Sequence, residues 1–136
     1  MTAALGPLLV RNADRVNLRR LDARLTESGL QRRLAWVVAN VLHALRDERA
    51  RSLPRQWAKR YRRAEVVLGL YIEFALSRLR ERPSGPVDIL DAEIRSKRTL
   101  AQITASSSEI SREWGIITSL QPDDFIRALR AARADG

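Results

Sequence analysis

The chain contains no cysteine and only one histidine, His43. The absence of cysteine excludes disulfide bonds, thiolate metal sites and cysteine nucleophiles. A lone histidine lacks the companions that a metal centre or a catalytic triad needs, so we expect His43 to pack in the core or at its boundary. No apolar run approaches the roughly 20 residues that a membrane span requires, and we expect no membrane partner.

The sequence also lacks the motifs of the common enzyme classes. It has no glycine-rich phosphate loop, no dinucleotide-binding fingerprint and no nucleophile elbow. Its acidic groupings fall at predicted helix ends or turns, where helix capping explains them: Asp47 with Glu48, Asp88 with Asp91 and Glu93, and Asp123 with Asp124. We therefore expect a non-enzymatic protein that uses no cofactor and no metal.

Aromatic residues make up 5% of the chain, which has 6 glycines and 5 prolines. A β-sandwich or barrel would need many short alternating strands and frequent turn signals, and no convincing alternating strand is present. Abundant Ala, Leu and Arg favour helices instead. The composition predicts an all-α fold, namely a small helical bundle of five or six helices with one long central amphipathic helix.

The length of 136 residues, with 45% apolar content, suits one domain with a core of its own. Residues 1–12 are expected to form a loose arm, 13–82 a basic three-helix core, 83–87 a linker and 88–136 a subregion of short helices. The first ten residues lack the basic segment and the long apolar run of a secretory signal, so we expect a cytoplasmic location.

Helical periodicity predicts helices over about 12–26, 30–49 and 54–82, with a break at Ser28 and Gly29. The second of these is apolar nearly all round, which predicts the most buried helix. Ser52 is expected to cap the third. Three shorter helices are predicted to follow. Asp88 is expected to cap the first and Ser106 with Glu109 the second, and the third is expected to start at Pro122.

The predicted helix over 54–82 is the most informative feature. Its apolar residues recur three or four positions apart and include Trp57 and Tyr61, which are therefore expected to anchor the core rather than to stack on nucleic-acid bases. Gly69 indicates a close approach by a neighbouring helix or a weak point. The basic residues between the apolar ones must face outward, and these are Arg55, Lys59, Arg60, Arg62 and Arg63.

The net charge is +9, and it is unevenly distributed. Residues 1–83 carry 18 Arg or Lys against 8 Asp or Glu, whereas residues 84–136 carry 7 against 8. Such a bias attracts polyanions or acidic protein surfaces. Lys59 and Lys97 are the only lysines, which fits either arginine clamping of phosphates or the codon composition of a GC-rich genome.

Residues Thr99 to Ile117 are predicted to form a helix, a short turn and a second helix from Ser107 to Trp114. This segment resembles the helix-turn-helix of many transcriptional regulators, over less than a fifth of the chain. Ala105 stands near the position where glycine usually makes the turn, and Glu109 and Glu113 add negative charge to the second helix. The resemblance implies contacts to base edges and phosphates from Ser107, Ser108, Ser111 and Arg112.

Two functions remain open from the sequence. In the first, the basic half binds nucleic acid mainly through phosphates, with DNA favoured over RNA and a possible regulatory role. In the second, the protein is an interaction module, such as an antitoxin-like inhibitor or a small helical subunit of a ribonucleoprotein complex, whose long helix seats on an acidic partner. The long helix would span about 43 Å if continuous, which is longer than a small globular domain can cover. This length favours a homo-oligomer in which the helix pairs with a second copy.

Overall fold

Helices account for nearly all of the regular structure in the computed structural model, which describes residues 2–81, 88–91 and 97–135. These residues form seven α-helices, one 3-10 turn and a two-stranded parallel sheet. The all-α fold predicted from composition is confirmed. The elements in chain order are the 3-10 turn Thr2–Ala4, α1 Leu5–Arg11, α2 Leu18–Thr26, α3 Gln31–Arg49, α4 Arg55–Glu81, β1 Asp88–Ile89, α5 Lys97–Ala105, α6 Glu109–Trp114, β2 Ile116–Ile117 and α7 Pro122–Asp135.

Helix α3 is the centre of the molecule, as its apolar circumference predicts. It contacts α1, α2, α4, α6 and α7. Trp36, Val38, Val41 and Leu45 are fully buried along it, and the Trp36 ring meets the edge of Phe125 from α7 at 5.7 Å. The long amphipathic helix α4 packs mainly on α3 and also contacts α1.

Helix α4 buries one stripe and exposes the opposite side. Its buried residues recur at the expected spacing and are Tyr61, Ala64, Leu68, Tyr71 and Ala75. Burial of a side chain such as Leu68 contributes roughly 1.5–3 kcal/mol. The helix begins at Arg55, and the carbonyl of Pro54 accepts hydrogen bonds from the amides of Trp57 and Ala58, so the cap predicted at Ser52 lies too early.

Two buried carboxylates join the helices. Asp22 on α2 accepts hydrogen bonds from Tyr71 and Arg78 of α4. Glu48 on α3 accepts from Arg130 of α7 at 2.6 Å and from Arg133 at 3.3 Å. Because each carboxylate is 99% shielded from solvent and fully partnered, both pairs belong to the framework of the fold.

The arm predicted over 1–12 is in fact helical. Helix α1 covers Leu5–Arg11 and contacts α3, α4 and α7. Pro7 lies in its first turn, where no amide donor is needed. Gly6 is buried, and a Cβ on it would lie 3.4 Å from Val41, so the glycine permits close packing on α3. Helix α2 begins later than predicted, at Leu18, because Asn17 caps it.

The carboxy-terminal third departs further from prediction. Asp88 does not cap a helix but lies in β1, opposite Ile116. Its carboxylate accepts hydrogen bonds from Nε and Nη2 of Arg33 at 2.7 and 2.8 Å. Ser108, not Ser106, caps α6. The linker predicted at 83–87 lies outside the described residues, as do 92–96 of the helix predicted after Asp88.

Several smaller expectations have clear outcomes. The break at Gly29 is confirmed, with the glycine at φ 70°. His43 is exposed, so the prediction that it packs in the core or at its boundary is wrong. No atom lies within 4 Å of a Cβ on Gly69, so no helix of the described chain approaches it closely. Within the described ranges, no helix has the combined length and apolar content needed to cross a membrane.

Candidate nucleic-acid interface

The five cations predicted at the start of α4 are all exposed: Arg55, Lys59, Arg60, Arg62 and Arg63. They fall on two sides of the helix because of its 3.6-residue period. Arg55, Lys59 and Arg62 are spaced four and three residues apart, so they form a row about 10 Å long on the side away from the bundle. We call this side, which continues through Val66, Leu70 and Glu73, the outer face of α4.

The charges of the outer row are not neutralised within the described part of the chain. Arg55, Lys59 and Arg62 have no ion-pair partner there. Arginines elsewhere are held by the protein's own carboxylates, including Arg33 by Asp88, Arg49 by Glu65, Arg78 by Asp22, Arg127 by Asp124 and Arg130 by Glu48. The outer row therefore differs from these arginines in having no carboxylate partner in the described part of the chain.

Arg60 and Arg63 point toward the other flank of α4, beside α1. The Arg60 guanidinium lies 5.0 Å from the centre of the Trp57 ring, within cation–π range. Arg63 Nη1 donates to Asp14 Oδ2 at 3.1 Å, and both side chains are 57% exposed. A pair so exposed contributes little, so Arg63 can exchange Asp14 for an anionic ligand at small cost.

These two arginines border a groove of about 650 Å³ between α1, α4 and α7. We call it the basic groove; its charged lining is Arg11, Asp14, Arg60, Arg63 and Arg133. Arg11 is exposed at the end of α1. Arg11 was not among the predicted site residues, because residues 1–12 were predicted to form a loose arm. The apolar residues Leu9 and Val10, which pack against the core, are the signal for a packed helix in this segment.

The floor of the basic groove is aromatic. Tyr61 is buried, and its hydroxyl accepts a hydrogen bond from Arg133 Nη1 at 2.8 Å. Burial raises the pKa of Tyr61 despite the opposing effect of Arg133, so the phenol stays protonated at neutral pH. Trp57 is half-buried and meets Tyr61 edge-on at 6.1 Å. The prediction that both rings anchor the core is confirmed for Tyr61, whereas Trp57 lies at the core boundary.

The serines of the predicted second helix have internal roles. Ser111 is 1% exposed, and its hydroxyl accepts from Trp36 Nε1 at 2.9 Å. Ser108 caps α6 by accepting from the Ser111 amide at 3.1 Å. Ser107 is 8% exposed and donates to the Ile103 carbonyl at 3.0 Å. Their hydroxyls are therefore occupied by the fold, and this placement does not support the predicted contacts to bases.

Arg112 remains exposed, but its surroundings are not those of a cationic surface. Its Nη2 donates to the Ala105 carbonyl at 3.3 Å, across the turn between α5 and α6. Glu109 and Glu113 are exposed on the same short helix. The two predicted helices and their turn are present, but the second has only six residues and packs on α3. The candidate interface is therefore the amino-terminal part of α4 together with the basic groove.

The described residues contain no group of three or more His, Cys, Asp or Glu side chains arranged to hold a metal ion. Comparison of the chain with protein-family models, with curated proteins and with solved structures finds no match.

Proposed function

We propose that this protein is a non-enzymatic module that binds nucleic acid through its phosphate backbone, using the amino-terminal part of α4 and the adjoining basic groove. The observation that carries the proposal is the row of Arg55, Lys59 and Arg62, which is exposed and has no carboxylate partner among the described residues. Unneutralised cations on a rigid helix match the repeated charges of a polynucleotide.

The geometry favours binding without sequence recognition. Recognition of base edges needs accessible hydrogen-bonding side chains that enter a groove. Ser107 and Ser111 are buried instead, and the exposed part of α6 carries Glu109 and Glu113 beside Arg112. Guanidinium contacts to phosphates fix position but carry no sequence information. Duplex DNA is the first ligand to test, with single-stranded DNA and RNA as the alternatives within the same chemistry.

The decisive experiment measures the affinity of labelled nucleic acids by fluorescence anisotropy. The double substitution Arg55→Glu with Lys59→Glu reverses two outer-row charges that make no ion pair in the described structure. Acidic residues are also favourable in the first turns of a helix, so the fold should be retained. We expect affinity to fall at least about 30-fold for every sequence tested, since two phosphate contacts are lost and two negative charges take their place.

The matched control is Arg20→Glu with Arg24→Glu. These arginines are exposed, lie four residues apart on α2, and change the net charge by the same amount. If the net charge alone determined binding, the two double variants would lose the same amount of nucleic-acid affinity. An interface at α4 predicts a much smaller loss in the control. Equal losses, or no measurable binding by the unaltered protein at low salt, would contradict the proposal.

A protein-interaction role is the second candidate, and a specific observation favours it. Val66 and Leu70, in the middle of the outer face of α4, are 60% and 64% exposed. Neighbouring apolar side chains this exposed indicate a contact surface for protein. This role predicts weak affinity for nucleic acid and a loss of association when Leu70 is made polar.

A further inference from the structure

The apolar centre of the outer face of α4 is unusual for this molecule. Val66 and Leu70 are the two most exposed large apolar residues in the described chain, and they lie one turn apart. The opposite side of the helix is already packed through Tyr61, Leu68 and Tyr71. The bundle therefore gives α4 one buried stripe and leaves a second, shorter apolar stripe facing water.

Gly69 lies beside this stripe. Apart from proline, glycine is the least favourable residue in a helix interior. Nothing in the described chain approaches closely enough to require it, because no atom lies within 4 Å of a Cβ at this position. A missing side chain next to two exposed apolar residues leaves a depression in which the backbone of another helix can come close.

Charges of opposite sign flank the stripe. Arg62 precedes it by one turn and Glu73 follows it by about one turn, and both are exposed without an ion-pair partner in the described residues. The midpoint between Arg62 and Glu73 lies within one residue of Leu68, which is the midpoint between Val66 and Leu70. The outer face is therefore complementary in charge to a reversed copy of itself.

We propose that α4 packs antiparallel against α4 of a second copy of this chain, about a two-fold axis that meets the outer face at the level of residue 68 along the helix. Arg62 of each copy then faces Glu73 of the other, while Val66 faces Leu70. A two-fold axis makes each of these contacts twice. A parallel pair would place Arg62 against Arg62 and Glu73 against Glu73, so electrostatic repulsion selects the antiparallel arrangement.

The proposed contact engages Arg62 but leaves Arg55, Lys59 and the basic groove accessible to nucleic acid. Helices in globular proteins most often cross at about 50°, so they diverge away from the crossing point. Arg55 lies about 20 Å from Leu68 along the helix, where the partner helix has moved away. The dimer therefore displays a basic groove and a basic helix end on each side. The inference does not rest on nucleic-acid binding, since association is measured with protein alone.

Sedimentation equilibrium across a micromolar concentration range tests the proposal. The unaltered chain is expected to show a reversible monomer–dimer equilibrium. Leu70→Ser should raise the dissociation constant about tenfold or more, because it removes a central apolar contact twice. Leu8→Ser is the matched control: Leu8 is 52% exposed on α1, outside the proposed contact, and its replacement should leave the dissociation constant unchanged.

Charge reversal tests the antiparallel register. Arg62→Glu and Glu73→Arg should each raise the dissociation constant about fivefold or more, because each creates like-charge pairs across the axis. An equimolar mixture of the two variants should form heterodimers of nearly unaltered affinity, since every pair is again of opposite sign. The variant that combines both substitutions should likewise recover to within about twofold.

Three results would overturn the proposal. The first is an unaltered chain that stays monomeric at every concentration. The second is a dimer whose dissociation constant is insensitive to Leu70→Ser, which would place the contact on another face. The third is a failure of the Arg62→Glu and Glu73→Arg variants to rescue each other in the mixture. Far-UV circular dichroism of each variant verifies that these surface substitutions leave the helices intact.

Discussion

Replacement of the buried carboxylate Asp22 by asparagine should destabilise the fold strongly. Asp22 is 1% exposed and joins α2 to α4 by accepting hydrogen bonds from Tyr71 and from both terminal nitrogens of Arg78. Asp22→Asn keeps the shape but removes the negative charge. It also replaces one acceptor oxygen by an NH2 group, which can only donate. That group would face the donors of Tyr71 and Arg78.

The magnitude follows from how much of the pair is buried. Loss of one partner of a buried ion pair costs about 3–5 kcal/mol, because the remaining charge is left uncompensated. The Arg78 side chain is 32% exposed, so water partly solvates it after the substitution. We therefore expect a loss at the lower end, about 3 kcal/mol, which lowers the midpoint of thermal unfolding by roughly 10 °C for a domain of this size.

Urea unfolding followed by far-UV circular dichroism at neutral pH measures this loss as a shift in midpoint with an unchanged slope. Asp14→Asn is the matched control, because Asp14 makes an ion pair with Arg63 in which both side chains are 57% exposed. An exposed pair should change the free energy of unfolding by less than about 1 kcal/mol. Equal effects of Asp22→Asn and Asp14→Asn would refute the assignment of Asp22 as a structural anchor.

The difference in stability between the unaltered chain and Asp22→Asn should depend on pH. Burial alone would raise the pKa of Asp22, but the hydrogen bonds from Arg78 and Tyr71 outweigh it and hold the pKa below the ordinary value near 3.8. A depressed pKa in the folded state means that the carboxylate stabilises the fold fully above its unfolded pKa. This contribution is lost as the pH falls through the folded pKa. The stability difference between the unaltered chain and Asp22→Asn should thus narrow in acid.

Two further substitutions test the packing. Ser111→Ala removes the hydrogen-bond acceptor of buried Trp36 Nε1. It should lower the free energy of unfolding in urea by about 2 kcal/mol without weakening nucleic-acid binding. A large loss of binding in a stably folded variant would instead indicate that Ser111 contacts nucleic acid. Gly69→Ala should raise the free energy of unfolding of the dilute monomer by about 0.5–1 kcal/mol, because nothing lies within 4 Å of the added Cβ. Destabilisation would reveal a close contact at Gly69.

Long helices with a strong apolar period could be predicted from the sequence alone. The periodicity of α3 and α4 gave their limits to within about two residues, and it identified α3 as the most buried helix. The cations at 55–63 were predicted to be exposed for the same reason, since a buried stripe forces the residues between its members outward. These features depend on local spacing, which the sequence displays directly.

Features that depend on distant partners could not be predicted in this way. Ser111 was predicted to contact bases. Its hydroxyl instead accepts a hydrogen bond from Trp36, a residue 75 positions away in the chain, and no local pattern indicates that pairing. Asp88 resembled a helix cap because nothing local indicated that Arg33 would bind it. Strands of two residues are too short to show an alternating pattern, so β1 and β2 were missed as well.

The salt dependence of binding tests the central claim most directly, namely that the cations of α4 and the basic groove contact phosphates. If Arg55, Lys59, Arg60 and Arg63 each neutralise one phosphate of duplex DNA, the logarithm of the association constant should fall with the logarithm of salt concentration with a slope of about −3.6. The Arg55→Glu, Lys59→Glu variant should reduce that slope by about half, and the Arg20→Glu, Arg24→Glu control should leave it nearly unchanged. A slope near zero, or a slope reduced equally in both variants, would contradict the account.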